Sequence, residues 1–230
     1  AIILVPCDRL SVGPAVQAAN KAGIPVFTVD AKCAAQGANI EGHVGTDNFQ
    51  GGELAGKAMI SALGGKGGKV LILDFKKANS CVLRVAGFKK IIDAHNKEAE
   101  GKIEVVSELD GNGDRTKGYQ STADALQAHE DLDAIFAIND PSALGAYTAV
   151  KEANRENKIK IIGFDGQLDG KQAIKDGKIY ADPIQHPDKM GKQIVQLIIK
   201  YQAGQSFDPE TLIPATLYTK AEADQDPELK

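Results

Sequence analysis

The sequence predicts an α/β protein built on doubly wound parallel sheets. Three observations carry that prediction. Short apolar, β-branched runs alternate with helical patterns along the chain; such alternation produces parallel strands with helices on both faces. Several of the runs are apolar throughout, as strands covered on both faces are. Finally, the runs end in polar residues that lead into helix starts.

Taken in order, the strand-like runs are "IILV" (2–5), "IPVFTV" (24–29), "KVLILDF" (69–75), "KIEVVSEL" (102–109), "AIFAIN" (134–139), "IKIIGFD" (159–165) and "YADPIQ" (180–185), with a further short one near 43–46. Helices fill the intervals. In "MGKQIVQLIIKYQAG", Ile194, Leu197, Ile198 and Tyr201 fall on one face and Gly204 is the stop. "NDPSALGAYTAVKEAN" reads as a helix with Asp140 as N-cap and Pro141 in its first turn. "DRTKGYQSTADALQAH" starts at Asp114 in the same way. The tail from Thr219, "TKAEADQDPELK", is polar and reads as surface.

With 230 residues, the chain can form one large domain or two lobes. It is 43% hydrophobic and 25% charged, with a formal net charge of −4 and no basic block. That argues against a nucleic-acid surface, which is a clustered Lys/Arg face. No apolar run approaches the ~20 residues of a membrane helix, so the expectation is a cytosolic protein or the mature form of an exported one. Cys7, Cys33 and Cys81 form no CxxC and no zinc pattern. Cys7 and Cys33 each follow a strand end and could pair, but partly buried thiols are the favoured reading.

Motifs of catalysis fail on inspection. "GGKGGK" (64–69) precedes a strand and lacks the Ser or Thr of a phosphate loop, so it reads as a turn. "DGNGD" (110–114) begins like a calcium loop, but Arg115 stands where Gly is needed and Ser121 where Glu is. The four histidines, at 43, 95, 129 and 186, lack zinc-ligand spacing. No cofactor is expected and no enzyme activity.

In doubly wound sheets, ligands bind beyond the carboxyl ends of the strands. Four of those ends carry carboxylates or amides: Asp30, Asn139 with Asp140, Asp165, and Gln185. Helix capping accounts for Asp140 and in part for Asp165; Gln is not a favoured cap, so Gln185 is left over. As a set, these groups donate and accept paired hydrogen bonds, which suits a polyhydroxyl ligand such as a sugar.

The stretches "AIILVPCD…VGPAVQAANKAGIPVFTVD", "HVGTDNFQGGELAG", "LRVAGF", "AIFAINDPSALGAYTAV", "IIGFDGQLDGKQAIKDGKIYADPIQHPDKMG" and "LIPATLYT" resemble the periplasmic sugar-binding proteins of bacterial ABC transporters, ribose-binding type. The resemblance implies two lobes joined by three crossings, near Thr46, His186 and Leu217. Residues 1–45 and 187–216 form the first lobe, 46–185 the second, and 217–230 the third crossing and surface tail. It also implies a periplasmic location, ligand binding by Asp30, Arg84, Asn139, Asp165 and Gln185, and hinge closure that presents the closed form to a membrane permease. Of two arginines that the family places before "GF", Arg84 is present and Val82 replaces the other. Ala31 and Gly113 replace a further Arg and an aromatic, so a modified pentose, a furanose hexose or a polyol stands beside ribose as the ligand. Lys32, Lys76 or Lys77 is a substitute for the lost cation.

Two other classes compete. A sugar-responsive repressor core shares this fold but needs a helix-turn-helix ahead of it, and a small sugar-processing enzyme needs a base or phosphate loop. By the same resemblance, "AIILVPCD" is the third strand of its lobe and normally follows a β-α-β-α unit of roughly 60 residues. The first lobe is therefore expected to be incomplete, with strand 2–5 at an edge. That edge would be covered by a partner copy or by the missing segment, or it would cause aggregation. With half the first-lobe contacts gone, sugar affinity should be weak.

Overall fold

The computed structural model describes residues 1–229. They form two compact units. The first comprises Ala1–Asn48, Lys76–Val82 and His186–Ala215; the second comprises Phe49–Phe75, Leu83–Gln185 and Thr216–Lys230.

The first unit holds a four-stranded sheet in the order β1 (Ile2–Leu4), β2 (Val26–Val29), β3 (Gly42–Asp47), β9 (Glu210–Pro214), all parallel. Alternation along β2 sends its side chains to both faces. Phe27 packs under α7 (Pro187–Gln202) with Val44, Met190, Ile194, Leu197 and Ile213. Val26 packs on the other face with Val16 of α1 (Gly13–Lys21) and Cys33. The Ile194, Leu197, Ile198, Tyr201 stripe is thus the face that α7 turns to the sheet.

Strand β1 pairs only with β2 and forms the edge. Its apolar run promised burial, yet Ile3 is 48% and Val5 53% exposed. Ile2, Leu10 and Ile24 are exposed as well. The edge position, not the composition, decides burial here.

The second unit is a six-stranded sheet in the order β10-β8-β7-β6-β4-β5. Its strands are β4 (Gly68–Asp74), β5 (Ile103–Asp110), β6 (Ala134–Ala137), β7 (Lys160–Ile162), β8 (Ala181–Ile184) and β10 (Thr216–Thr219). All are parallel except β10, which is antiparallel to β8. Helices α3 (Asn79–Glu98), α4 (Arg115–Ala128), α5 (Asp140–Glu152) and α6 (Leu168–Lys175) provide the crossovers, and α2 (Asn48–Ala62) precedes β4. Val70, Leu71, Ile72 and Leu73 of β4 are all fully buried, as expected of a central strand.

Helices α2 and α3 approach closely at two glycines. A Cβ at Gly52 would stand 2.1 Å from the Arg84 carbonyl, and one at Gly87 would stand 2.0 Å from the Phe49 carbonyl. Side chains at either place would push α3 off α2 and displace Arg84.

Several sequence expectations need correction. β9 and β10 carry too little alternation to be read locally; they exist because β3 and β8 offer them edges. The N-cap of α5 is Asn139, whose side chain accepts from Ser142 N–H; Asp140 is the first helical residue. Asp114 does cap α4, accepting from Lys117 N–H at 2.8 Å. The tail is not merely surface: α8 (Lys220–Ala223) opens with a Thr219/Glu222 capping box, Ala223 is buried, and Leu229 packs against the main core. No disulfide joins the cysteines among the described residues; Cys7 is exposed and Cys33 and Cys81 are buried.

Candidate functional site

In the second unit, the carboxyl ends of four adjacent strands bring the chemistry together. Across β8-β7-β6-β4 the residues just past the strands are Gln185, Asp165, Asn139 and Phe75.

Asp165 is the hub. Its backbone is left-handed, with φ 103°, a conformation that non-glycine residues adopt only when the surroundings hold it. Here Asp165 N–H donates to the Pro183 carbonyl at 3.1 Å, and the Asp165 carbonyl accepts from Gln185 N–H at 2.9 Å. These bonds extend the β7–β8 pairing past the strand ends and set Gln185 beside Asp165. Gly166 follows with φ 78°, and a Cβ there would collide with Ile184 Cγ2 at 2.3 Å. Only glycine permits the turn.

Two donors converge on the Asp165 carboxyl. Arg84 Nη1 donates to Oδ1 at 2.8 Å and Gln185 Nε2 donates to the same oxygen at 2.6 Å. Burial raises the Asp165 pKa, and the Arg84 guanidinium and the nearby Gln185 and Gln167 amides pull against it. Arg84 is itself only 4% exposed in its side chain. Its Nη1 also donates to the Ile138 carbonyl at 2.7 Å, and its guanidinium lies 3.8 Å over the centre of the buried Phe164 ring. An Arg so enclosed holds Asp165 in place.

Asn139 is split between two tasks. Its Oδ1 caps α5, and its Nδ2 donates to the Gly113 carbonyl at 2.9 Å. The "DGNGD" segment is an Asx turn: Asp110 accepts from Asn112 N–H, and Asn112 donates to Asp114, the cap of α4. Gly113 sits at its tip with φ 67°. A Cβ at Gly113 would stand 3.3 Å from Asn139 Nδ2 and 3.8 Å from the Phe75 ring. The half-buried Phe75 ring and the Asn139 amide thus both lie near the Gly113 tip.

Asp30 belongs to the first unit, directly after β2. It too is left-handed, with φ 65°, and its N–H donates to the Val44 carbonyl at 2.9 Å. Lys32, a proposed substitute cation, is paired with Glu210 at 2.9 Å.

The structure thus brings Arg84, Asp165 and Gln185 into one bonded cluster, sets Asn139 at the neighbouring strand end, and places Asp30 in the other unit. Reading strand ends alone missed Phe75, Phe164 and Gln167. Phe75 had one available signal: it directly follows the central strand β4. Among the described residues, no group of three or more His, Cys, Asp or Glu could hold a metal ion, and no helix is long and apolar enough to cross a membrane.

Comparison with known proteins places the chain in a family. Residues 1–206 match the family described as periplasmic binding protein domain. The ribose import binding protein of Haemophilus influenzae is 38% identical over 216 residues, covering 94% of this chain and 70% of that protein. The D-apiose import binding protein of Paraburkholderia graminis is 33% identical over 211 residues, covering 91% of this chain and 65% of that protein. Among solved structures, an ABC transporter solute-binding protein from Agrobacterium vitis with bound D-fucose shares the fold with a TM-score of 0.86 at 32% identity, over 99% of this chain and 77% of that one. The chain belongs to the periplasmic binding protein family.

Proposed function

We propose that the protein captures a sugar and delivers it to an ABC transporter permease, as an exported, periplasmic protein that carries out no covalent chemistry. The ligand contacts are Asp165, Asn139, Gln185 and Asp30, with Arg84 holding Asp165. One observation carries this reading: polar groups at three adjacent strand ends, Gln185, Asp165 and Asn139, stand in a row that ends in the Phe75 ring. Polar edges suit hydroxyls and an aromatic face suits the C–H face of a sugar. The relatives imported or bound ribose, apiose and fucose, which supports a pentose, a furanose or a related sugar.

We further propose that the β1 edge is covered in the working protein, by a preceding β-α-β-α segment or by a second copy. The exposed Ile2, Ile3, Val5 and Ile24 support this, because an open apolar edge is a pairing site.

A thermal-shift screen across pentoses, hexoses and polyols tests the function. A specific ligand raises the melting temperature in proportion to the logarithm of its concentration over Kd. Failure of every sugar to shift the melt, with calorimetry silent as well, overturns the reading.

A further inference from the structure

Behind Asp165, the second unit buries two carboxyls that the sugar site does not use. Asp140 opens α5 and Asp182 stands in β8; both are fully buried. Asp140 Oδ2 accepts from the Gln167 N–H at 2.6 Å. Among the described residues, Asp140 Oδ1 and both Asp182 oxygens find no hydrogen-bond donor in geometry. The Gly163 N–H, which faces Asp182, is bonded to the Ala181 carbonyl at 3.2 Å.

Facing the pair from the β7–α6 loop are Gly163, the Gln167 N–H and the carboxyl of Asp165, which repels both. From α6 comes Gly170, where a Cβ would stand 2.1 Å from Asp140 Oδ1. The cation of this region, Arg84 of α3, is bonded to Asp165 and to the Ile138 carbonyl. Two neighbouring, fully buried carboxylates to which no cation is bonded among the described residues resist being ionised together.

We propose that Asp140 and Asp182 share one proton at neutral pH, and that this acid–carboxylate hydrogen bond clamps β8 to the start of α5 beneath the loop that carries Asp165. The proton resides on Asp140, and Asp182 accepts. Burial first, then the Asp182 charge, push Asp140 upward; burial also raises Asp182, while the hydrogen bond from Asp140 draws it down. The clamp reaches the ligand site through backbone bonds. Gln167 N–H rests on Asp140, and Asp165 N–H rests on the Pro183 carbonyl, one residue past Asp182.

The pH dependence follows from linkage. Asp140 has a higher pKa folded than unfolded, so above the unfolded carboxyl pKa the native state binds the extra proton. Its contribution to stability is full below that pKa and is lost as pH rises toward the folded value, by up to tenfold in the folding constant per pH unit. Where the pair finally loses its proton, repulsion loosens both anchors of Asp165 and ligand affinity falls; this last step rests on Asp165 being a sugar contact.

The unliganded protein supplies the test. Infrared spectroscopy near neutral pH should show the C=O absorption of a protonated, buried carboxylic acid. Asp140→Asn and Asp182→Asn, whose amides take over the donor role, should each abolish it. Melting temperature should fall between about pH 6 and about pH 10 more steeply in the wild type than in either variant. A wild type with no protonated-acid absorption overturns the proposal, as do variants that keep the wild-type pH slope. A protein that shows the absorption and the slope yet binds no sugar retains the shared proton and loses only the reading of the ligand site.

Discussion

Arg84 and Asp165 are 81 residues apart in sequence and 2.8 Å apart in space, with the guanidinium almost wholly buried. The pair joins α3 to the end of β7. Because Arg84 also lies on Phe164, the residue directly before Asp165, it grips both sides of that strand end.

Asp165→Ala should abolish sugar binding in calorimetry, because the hydroxyls lose a charged acceptor. It also strands a buried guanidinium, at a cost of ~3–5 kcal/mol in denaturant unfolding. Asp165→Asn separates the two effects: it should keep more of the stability while affinity still drops. Unchanged affinity in both variants would remove Asp165 from the ligand set.

Asn139→Ala should lose roughly 1 kcal/mol of stability with the α5 cap, and with it the tie to the Gly113 carbonyl. Asn139→Ser restores a capping oxygen but cannot reach as an amide does. Stability should recover in Asn139→Ser and sugar affinity should not. Recovery of both would make Asn139 a cap and nothing more.

These two cases show what the sequence made legible. Strand-end logic located Asp165, Asn139 and Gln185 because each follows a short apolar run that is easy to recognise. It could not tell that Asp140, adjacent to Asn139, is buried rather than capping. That depends on α6 folding back over it, with Gly170 making the space. Burial of Asp182 was equally hidden: "YADPIQ" reads as a strand, but nothing local says that the face carrying Asp182 is covered. The β1 run was read correctly as a strand, but its exposure depends on which neighbour is present, and no local pattern encodes that.

Phe75→Ala should weaken sugar binding about fivefold, from loss of roughly 1 kcal/mol of ring contact. Phe75→Tyr should bind nearly as well as the wild type. Equal affinities across all three proteins, measured by calorimetry, would exclude the ring from the site.

The exposed β1 edge should make the 230-residue chain self-associate in a concentration-dependent manner in sedimentation velocity. Ile3→Lys and Val5→Lys should each reduce association, as charges on an edge strand do. A chain that stays monomeric at all concentrations, with tight sugar binding, would show that the edge needs no cover.

Gly166→Ala should destabilise the second unit by at least ~1 kcal/mol, since φ is positive and Ile184 blocks the new methyl. The loss should appear in unfolding midpoints without ligand, and a neutral result would mean that the 165–167 turn can rearrange freely.

Asp30 and Asp165 both occupy left-handed backbone, and this has an evolutionary consequence. The residues that tolerate such a conformation best are glycine, asparagine and aspartate. Aspartate codons reach both glycine and asparagine by one nucleotide change. At most positions, a lost binding residue also tends to damage the fold and be cleared from the cell. At these two, the commonest genetic accidents leave the backbone comfortable; at Asp165 the change to asparagine also keeps a side-chain partner beside Arg84, whereas glycine would strand that guanidinium. Lineages of this protein should therefore shed or change their ligand through well-folded intermediates, and a library of random point mutants should be rich in stable molecules that no longer recognise the original sugar.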